Sequence, residues 1–317
     1  MVGGRDSLRI VFFGTPSFAV PTLERLLASR HVVCGVVTQP DRPRGRGHKV
    51  FAAPVKALAL ERDLPIIQPE HLNDPSVVAA ISDWNPDLGV VAAYGKLIPP
   101  ALLSLPRLGM INVHASLLPK YRGAAPVHRA VIEGEEQTGV TIMRVSKLLD
   151  AGGMFAQVGR PIGTDDTSEE VERDLADIGA RLLITVIDDM AEGTATEQPQ
   201  DDKLSTYAPR LTKEDPRIDW TLSATSIHNK VRGLHPWPHA YAYLDDHRVI
   251  VLRTHVPGEM SDVAPGTILE ASGDVLHVAA GHGTRVAIDE LQAEGRRPMR
   301  TSEFLAGRPI RPGRRFT

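Results

Sequence analysis

Short apolar runs alternate with amphipathic helical segments along the first half of the chain. An apolar run over residues 8–13 ends at Gly14, and apolar side chains at helical spacing follow it. Further runs at 32–38 and 88–93 indicate buried strands, and the segment 53–62 indicates a helix. This alternation predicts a parallel α/β sheet, in which ligands collect where the strands end.

The pattern changes in the second half. Residues 169–190 indicate a long helix that closes the first domain, and the polar, proline-containing stretch after it is typical of a connector. Short β runs follow at residues 240–244, 249–254, 266–270, 275–279 and 285–291. We therefore predict an α/β protein with a Rossmann-like N-terminal parallel-sheet domain over residues 1–192, a linker over 193–211 and a small C-terminal β-barrel (OB-like) domain over 212–317.

The charge of the chain is unevenly distributed. Its formal net charge of -3 argues against a strongly basic nucleic-acid binder, but acidic residues are concentrated between residues 161 and 202. From residue 296 onward the balance reverses, with Arg296, Arg297, Arg300, Arg308, Arg311, Arg314 and Arg315. This arginine-rich end is as compatible with a solvated tail as with contact to phosphate.

Cysteine usage and hydropathy indicate the compartment. Cys34 is the only cysteine, which excludes an internal disulfide and a cysteine-based zinc cluster and fits a reducing cytoplasm. No apolar stretch has the length of a membrane span, and the first residues lack the layout of a signal peptide. We expect a soluble cytoplasmic protein, and nothing in the sequence requires more than a monomer.

Several common sites are not indicated. The turn after the first strand carries Gly14 alone instead of Gly-x-Gly-x-x-Gly, so a nicotinamide dehydrogenase is only a weak alternative. Residues 45–49 lack the spacing of a P-loop and the Ser or Thr that follows its lysine. His235 and His239 flank a Pro-Trp-Pro turn and are predicted to be structural or surface groups, so we expect no metal site.

Polar chemistry is concentrated in residues 111–126, Ile-Asn-Val-His-Ala-Ser-Leu-Leu-Pro-Lys-Tyr-Arg-Gly-Ala-Ala-Pro. Asn112 and His114 are two residues apart at a predicted strand end, so their side chains leave the same face. An amide and an imidazole that converge can polarise a carbonyl and stabilise the oxyanion formed when a nucleophile adds to it. Taken singly, each is better explained as a turn asparagine or a buried structural histidine. Together with the run that follows, they favour a catalytic site.

Asp150 is the candidate for a third catalytic group. It follows a predicted strand over residues 138–143, and Gly152 and Gly153 allow the sharp turn that would bring its carboxylate back over the sheet. An aspartate before glycine is usually a turn residue. Near His114, however, a carboxylate can orient the imidazole and relay a proton from an attacking amine.

Further motifs extend the pattern over nearly the whole chain. They are Arg-Ile-Val-Phe-Phe-Gly-Thr-Pro at 9–16, Thr-Gln-Pro-Asp-Arg-Pro at 38–43, Ala-Ala-Tyr-Gly at 92–95, Ile-Asp-Trp at 218–220, Pro-Trp-Pro at 236–238 and Pro-Gly-Thr-Ile-Leu at 265–269. With the central run and Asp150, they resemble the folate-dependent formyltransferases. Two positions depart from the family pattern and concern the shape of loops: Ala115 stands where relatives commonly have Gly, and Gly153 where many have Asp.

The resemblance implies a reaction and the residues that perform it. Asn112, His114 and Asp150 would be the catalytic trio, and the folate site would be lined by Ser116, Leu117, Leu118 and Pro119. The donor would be 10-formyltetrahydrofolate. The acceptor would be the α-amine of methionine on charged initiator tRNA, without a metal or a covalent enzyme intermediate.

Other acceptors could use the same trio, namely a glycinamide ribonucleotide or an amino sugar nucleotide. The second domain favours RNA, because a small acceptor does not require an added barrel. A basic loop over residues 41–49 is either a solvated loop or an element that enters the acceptor arm, as in the family it resembles. The candidate RNA contacts are Arg42, Arg44, Arg46, Lys49, Arg296, Arg297 and Arg300. A catalytically inactive RNA-binding protein is a third possibility, and retention of the trio argues against it.

Overall fold

The computed structural model describes residues 7–41, 43–44, 49–50 and 52–317. Contacts divide the chain into two compact units. The first comprises the residues up to 124, 138–160 and 172–208, and the second comprises 125–137, 161–171 and 209–317. The domain limits given by the sequence pattern stay predictions.

The elements follow one another closely along the chain. The strands are β1 (Arg9–Gly14), β2 (Val32–Val37), β3 (Pro43–Arg44), β4 (Lys49–Val50), β5 (Ile66–Ile67), β6 (Leu88–Ala92), β7 (Met110–His114), β8 (Arg122–Gly123), β9 (Gln137–Arg144), β10 (Met154–Pro161), β11 (Tyr207–Ala208), β12 (Ala240–Leu244), β13 (His247–His255), β14 (Ile268–Ser272), β15 (Val275–Ala279), β16 (Arg285–Ala293) and β17 (Met299–Arg300). The helices are α1 (Val20–Leu27), α2 (Pro54–Glu61), α3 (Pro75–Asp83), α4 (Pro100–Leu103), α5 (Pro126–Glu133), α6 (Ser168–Glu192), α7 (Ala224–Gly233) and α8 (Thr301–Gly307). Among the described helices, none has the length and apolar character needed to cross a membrane.

A seven-stranded sheet organises the first unit, in the order β10-β9-β7-β6-β1-β2-β5. The strands from β7 to β5 in this order pair in parallel, and β9 joins β7 in the antiparallel sense. The carboxyl ends of β1, β2, β6 and β7 therefore meet at one edge of the sheet. The predicted parallel-sheet domain is confirmed.

Burial explains why these segments form strands. Every residue of β6 is buried, and so is every residue of β1 after the first, as expected for central strands covered on both faces. In α1, Leu23 and Leu26 are fully buried. Burying a leucine side chain contributes roughly 1.5–3 kcal/mol, so these two residues hold the helix to the unit.

The second unit contains an antiparallel sheet in the order β12-β13-β16-β15-β14, with β17 added to β16. Asp245 and Asp246 connect β12 to β13 and have φ angles of +52° and +62°. Positive φ at both positions is characteristic of the tight turns that match the twist of a hairpin. The antiparallel β domain predicted from the short runs is confirmed.

Residues 314–317 join the two ends of this sheet. The backbone N–H groups of Tyr243 and Ile268 donate to the carbonyls of Thr317 and Arg314, respectively. Because these bonds reach β12 on one side and β14 on the other, the segment closes the sheet into a barrel. Phe316 stacks on Trp220 with the ring centroids 5.5 Å apart, which anchors the closing segment in the core.

The stretch predicted to be a connector makes strand-like hydrogen bonds in the first unit. The N–H of Met154 donates to the carbonyl of Gln198 at 2.7 Å, and the N–H of Gln198 donates back at 2.9 Å. Farther along, β11 pairs in parallel with β8. Each pairing involves only one or two residues, so no periodicity in the sequence indicates it.

The arginine-rich end is largely folded. Helix α8 occupies part of it, and Arg308 forms an ion pair with Asp245 at 3.1 Å. Arg314 pairs with the same carboxylate. The end is therefore part of the second unit and not a free tail.

Candidate active site

Strand β7 places Asn112 and His114 on one face of the sheet. The side chain between them, Val113, points to the opposite face, where a Cβ added to Gly179 would lie 2.7 Å from it. Alternation along a strand then places Asn112 and His114 together on the other face. Asn112 is partly exposed, and its amide makes no side-chain hydrogen bond in the described ranges, whereas His114 is 5% exposed. The amide is thus available to a ligand.

Both ring nitrogens of His114 face oxygen atoms. Nε2 lies 3.0 Å from the carbonyl oxygen of Tyr121, and Nδ1 lies 3.7 Å from Oδ2 of Asp150. Since a carbonyl can only accept, Nε2 carries a hydrogen and donates it. The carboxylate faces the other nitrogen, so the ring lies between a carbonyl oxygen and a carboxylate oxygen.

Asp150 is held in a backbone conformation that few residues adopt. Its φ is +47°, and Oδ2 accepts a hydrogen bond from the N–H of Gly123 at 2.9 Å. A positive φ at a residue other than glycine costs on the order of 1–3 kcal/mol and persists only where the surroundings enforce it. The turn thus places Oδ2 of Asp150 3.7 Å from Nδ1 of His114, and the catalytic role of Asp150 stays a prediction.

Gly123 has no room for a side chain. A Cβ there would lie 2.7 Å from the carbonyl oxygen of Ala208 and 2.7 Å from the ring of Tyr207, and the φ of +120° disfavours other residues. The close approach lets β8 pair with β11 while the N–H of Gly123 points at Asp150. Only glycine fits at this position without displacing its neighbours.

The loop over residues 116–119 is held by a buried hydroxyl. Thr141 Oγ1 donates to the carbonyl of Ser116 at 2.7 Å and accepts from the N–H of Leu118 at 3.1 Å and from Gln157 Nε2 at 2.8 Å. The Ser116 hydroxyl, fully buried, donates to the carbonyl of Lys120 at 2.7 Å. Ser116 and Leu118 therefore shape the loop from within, while Leu117 and Pro119 are partly exposed.

Sequence reasoning missed the residues that support the site. Thr141, Gln157 and Gln200 lie far along the chain from the groups they hold, so the sequence contains no local signal for them. Arg122, next to Gly123, lies inside the polar run at 111–126, and this position is the sequence signal that could have indicated its role in the site.

The predicted RNA contacts are placed only in part. Arg42 and Arg46 lie outside the described residues, and Arg44 and Lys49 belong to the antiparallel pair β3 and β4. The three arginines of the second unit, Arg296, Arg297 and Arg300, are exposed. Arg297 forms an ion pair with Glu303 at 2.8 Å.

The pKa of Tyr94, close to the carboxyl end of β6, is strongly raised. Burial raises the pKa of this phenol to about 12, and its hydroxyl has no hydrogen-bond partner among the described residues. Its ring packs edge-on against Phe13 with the centroids 5.6 Å apart.

In the described ranges, no group of three or more His, Cys, Asp or Glu side chains is placed to hold a metal ion.

Comparison with known proteins decides the family. The family model described as formyl transferase matches residues 8–187, and the model of the formyl transferase C-terminal domain matches residues 210–309. The chain belongs to the formyl transferase family. This formyl transferase is 45% identical over 306 residues to methionyl-tRNA formyltransferase of Citrifermentans bemidjiense, covering 96% of this chain and 95% of the relative. It is 46% identical over 308 residues to the enzyme of the same name from Pelobacter propionicus, covering 97% and 96%.

Solved structures share the fold. WlaRD, a sugar 3N-formyl transferase, aligns with a TM-score of 0.67 at 16% identity over 92% of this chain and 99% of that one. HypX from Aquifex aeolicus, solved in complex with tetrahydrofolic acid, aligns with a TM-score of 0.62 at 16% identity over 98% of this chain and 50% of that one. The membership predicted from the motifs is confirmed: the chain is a formyl-transferring enzyme.

Proposed function

We propose that this formyl transferase moves the formyl group of 10-formyltetrahydrofolate to the α-amine of methionine on charged initiator tRNA. The observation that carries the proposal is the extent of the similarity. Methionyl-tRNA formyltransferases match this chain at 44–46% identity over at least 96% of its length, so the similarity includes the second domain. The sugar formyl transferase of similar fold has 16% identity and therefore supports the fold alone.

Asn112 and His114 would stabilise the negative charge that develops when the neutral amine attacks the formyl carbon. The Asn112 amide, without a partner in the described chain, can donate to the formyl oxygen, and protonated His114 can assist it. A new carbon–nitrogen bond forms to methionine, and the bond between the formyl carbon and the folate nitrogen breaks. No covalent bond to the enzyme is required.

Asp150 would hold His114 and return the proton. It lies 3.7 Å from Nδ1 of His114, close enough to stabilise the protonated ring. The attacking amine loses a proton as the new bond forms, and Asp150 passes it through a water molecule to the departing folate nitrogen. The proton count then balances without a metal.

The folate and RNA sites are assigned to different elements. We assign the folate site to the loop with Ser116, Leu117, Leu118 and Pro119. We assign the acceptor arm to the basic loop with Arg42, Arg44, Arg46 and Lys49, and the RNA backbone to Arg296, Arg297 and Arg300. We further propose a catalytic domain over residues 1–192, a linker over 193–211 and a tRNA-binding barrel over 212–317. The enzyme would act as a monomer in the cytoplasm.

The decisive experiment compares acceptors. Purified enzyme and 10-formyltetrahydrofolate are incubated with charged initiator tRNA, charged elongator methionyl-tRNA or an amino sugar nucleotide. We expect rapid formylation of the initiator and little of the others. Formylation of the sugar nucleotide alone would overturn the proposed acceptor while leaving the family membership intact.

The trio is tested separately by Asn112→Ala, His114→Ala and Asp150→Ala. Each should lower kcat roughly 100-fold or more, as expected for loss of an oxyanion donor or a proton-transfer group. Melting temperatures measured on the same samples check that the variants fold. A folded variant with near-normal kcat would remove its residue from the mechanism.

A further inference from the structure

The side chain of Gln200 links three parts of the first unit. Its Oε1 accepts from Arg122 Nε at 3.0 Å and from Nη2 at 2.7 Å. Its Nε2 donates to the carbonyls of Asp150 and Gly152, both at 2.8 Å. All these bonds lie within the part of the chain that contains the catalytic candidates.

The orientation of this amide is determined by its partners. A guanidinium only donates, so the amide atom that faces Arg122 must be the oxygen. The nitrogen then faces the carbonyls, and both of its hydrogens are used. Arg122 is itself fixed by an ion pair with Asp202 at 2.7 Å. The amide therefore has one arrangement that satisfies every partner.

The two carbonyls belong to the turn that carries the catalytic carboxylate. Asp150 has a φ of +47°, a conformation that needs support from its surroundings. Gly152 is closely packed as well, because a Cβ there would lie 1.9 Å from the carbonyl oxygen of Arg144. Gln200 supplies further support, because its amide nitrogen donates to the carbonyls of Asp150 and Gly152.

We infer that Gln200 is a positioning residue, which holds the Asp150 turn so that the carboxylate faces His114 and the N–H of Gly123. The inference rests on the proposed catalytic role of Asp150. It also assigns a function to the stretch predicted to be a connector, because the Gln200 side chain of that stretch holds the turn that carries Asp150. Without the amide, the backbone of Asp150 can relax to a negative φ and turn the carboxylate away from His114.

The test compares Gln200→Met with Gln198→Met. The two glutamines are two residues apart, and the exposed Gln198 side chain makes no hydrogen bond among the described residues, so the control repeats the substitution without the network. We expect Gln200→Met to lower kcat roughly 10- to 100-fold, the effect of a catalytic group displaced by about 1 Å. KM for donor and charged tRNA should stay within about twofold, and Gln198→Met should match the wild type.

A second variant and a double-mutant cycle separate positioning from general support. Gln200→Glu keeps the size of the side chain and the contact with Arg122 but lacks the amide hydrogens. Its kcat should therefore fall as in Gln200→Met. If Gln200→Met does not fold, Gln200→Glu tests the positioning role in its place. In an Asp150→Ala background, Gln200→Met should change kcat by less than about twofold, because the group it positions is already absent.

Each outcome has one meaning. Normal kcat in Asp150→Ala would overturn the proposed catalytic role of that residue. Low kcat in Asp150→Ala with normal kcat in both Gln200 variants would overturn the positioning role alone. An equal loss from Gln200→Met in both backgrounds would also overturn it, since the residue would then act independently of Asp150.

Discussion

Replacing Thr141 with valine removes a hydroxyl and leaves a side chain of nearly the same shape. Thr141 is fully buried, and its hydroxyl bonds the carbonyl of Ser116, the N–H of Leu118 and the amide of Gln157. The substitution would leave two backbone groups of the loop without this partner. It therefore tests whether the hydroxyl stabilises the loop proposed to bind folate.

The magnitude follows from the number of bonds. A hydrogen bond contributes about 1 kcal/mol net, and a buried group left without its partner costs about 1–3 kcal/mol. For the bonds of Thr141 we expect a loss of about 3 kcal/mol in the free energy of unfolding. At 2–4 °C per kcal/mol, this lowers the melting temperature of a domain of this size by roughly 6–12 °C.

Thr22→Val is the matched control. Thr22 is also fully buried, but its hydroxyl has no hydrogen-bond partner among the described residues, so its removal should leave the melting temperature unchanged or raise it. Calorimetry of both variants decides the question. Equal melting temperatures for the two variants would refute the assignment of stability to the hydroxyl network.

Three further expectations concern other parts of the molecule. Gly123→Ala should lower kcat more than tenfold by separating β8 from β11. The control Gly193→Ala should retain activity, because Gly193 also has a positive φ but nothing lies within 4 Å of the added Cβ. Replacing Arg42 and Arg44 with alanine should lower kcat/KM for charged tRNA and leave the affinity for a folate analogue unchanged; a parallel loss of both would place the loop in the donor site. Burial lowers the pKa of His31 below its ordinary 6.5, so the fold favours the neutral ring and loses stability as the pH falls below that value. Urea unfolding between pH 7 and 5 should show a steeper loss in the wild type than in His31→Gln, and equal slopes would contradict this.

The sequence predicted those features that depend on local pattern. The apolar runs behind β1 and β6 are continuous because both faces of these strands are buried, which makes them easy to recognise. By contrast, every residue of β10 is exposed or half-buried and the strand carries no apolar alternation, so the sequence does not indicate it. Helix α7 was missed despite its Ser223 cap, whose hydroxyl accepts from the N–H of Ser226 at 3.1 Å.

The candidate site divides in the same way. The spacing of Asn112 and His114 predicted a shared face, because a strand alternates its side chains. Gln200 could not be found by such reasoning, since it is 50 residues from Asp150 in the chain and joins it only through the fold. Hydrogen bonds between distant segments leave no periodic trace in a sequence.

The closure of the barrel by residues 314–317 gives these few residues a protective role. They occupy the hydrogen-bonding groups of Tyr243 in β12 and of Ile268 in β14, while residues 216–218 pair with Tyr241 on the same β12 edge. An open edge can pair with a strand of another molecule and so promotes aggregation. Trimming this short segment would therefore leave backbone groups of Tyr243 and Ile268 open to strands of other molecules, while the catalytic candidates lie in the other unit.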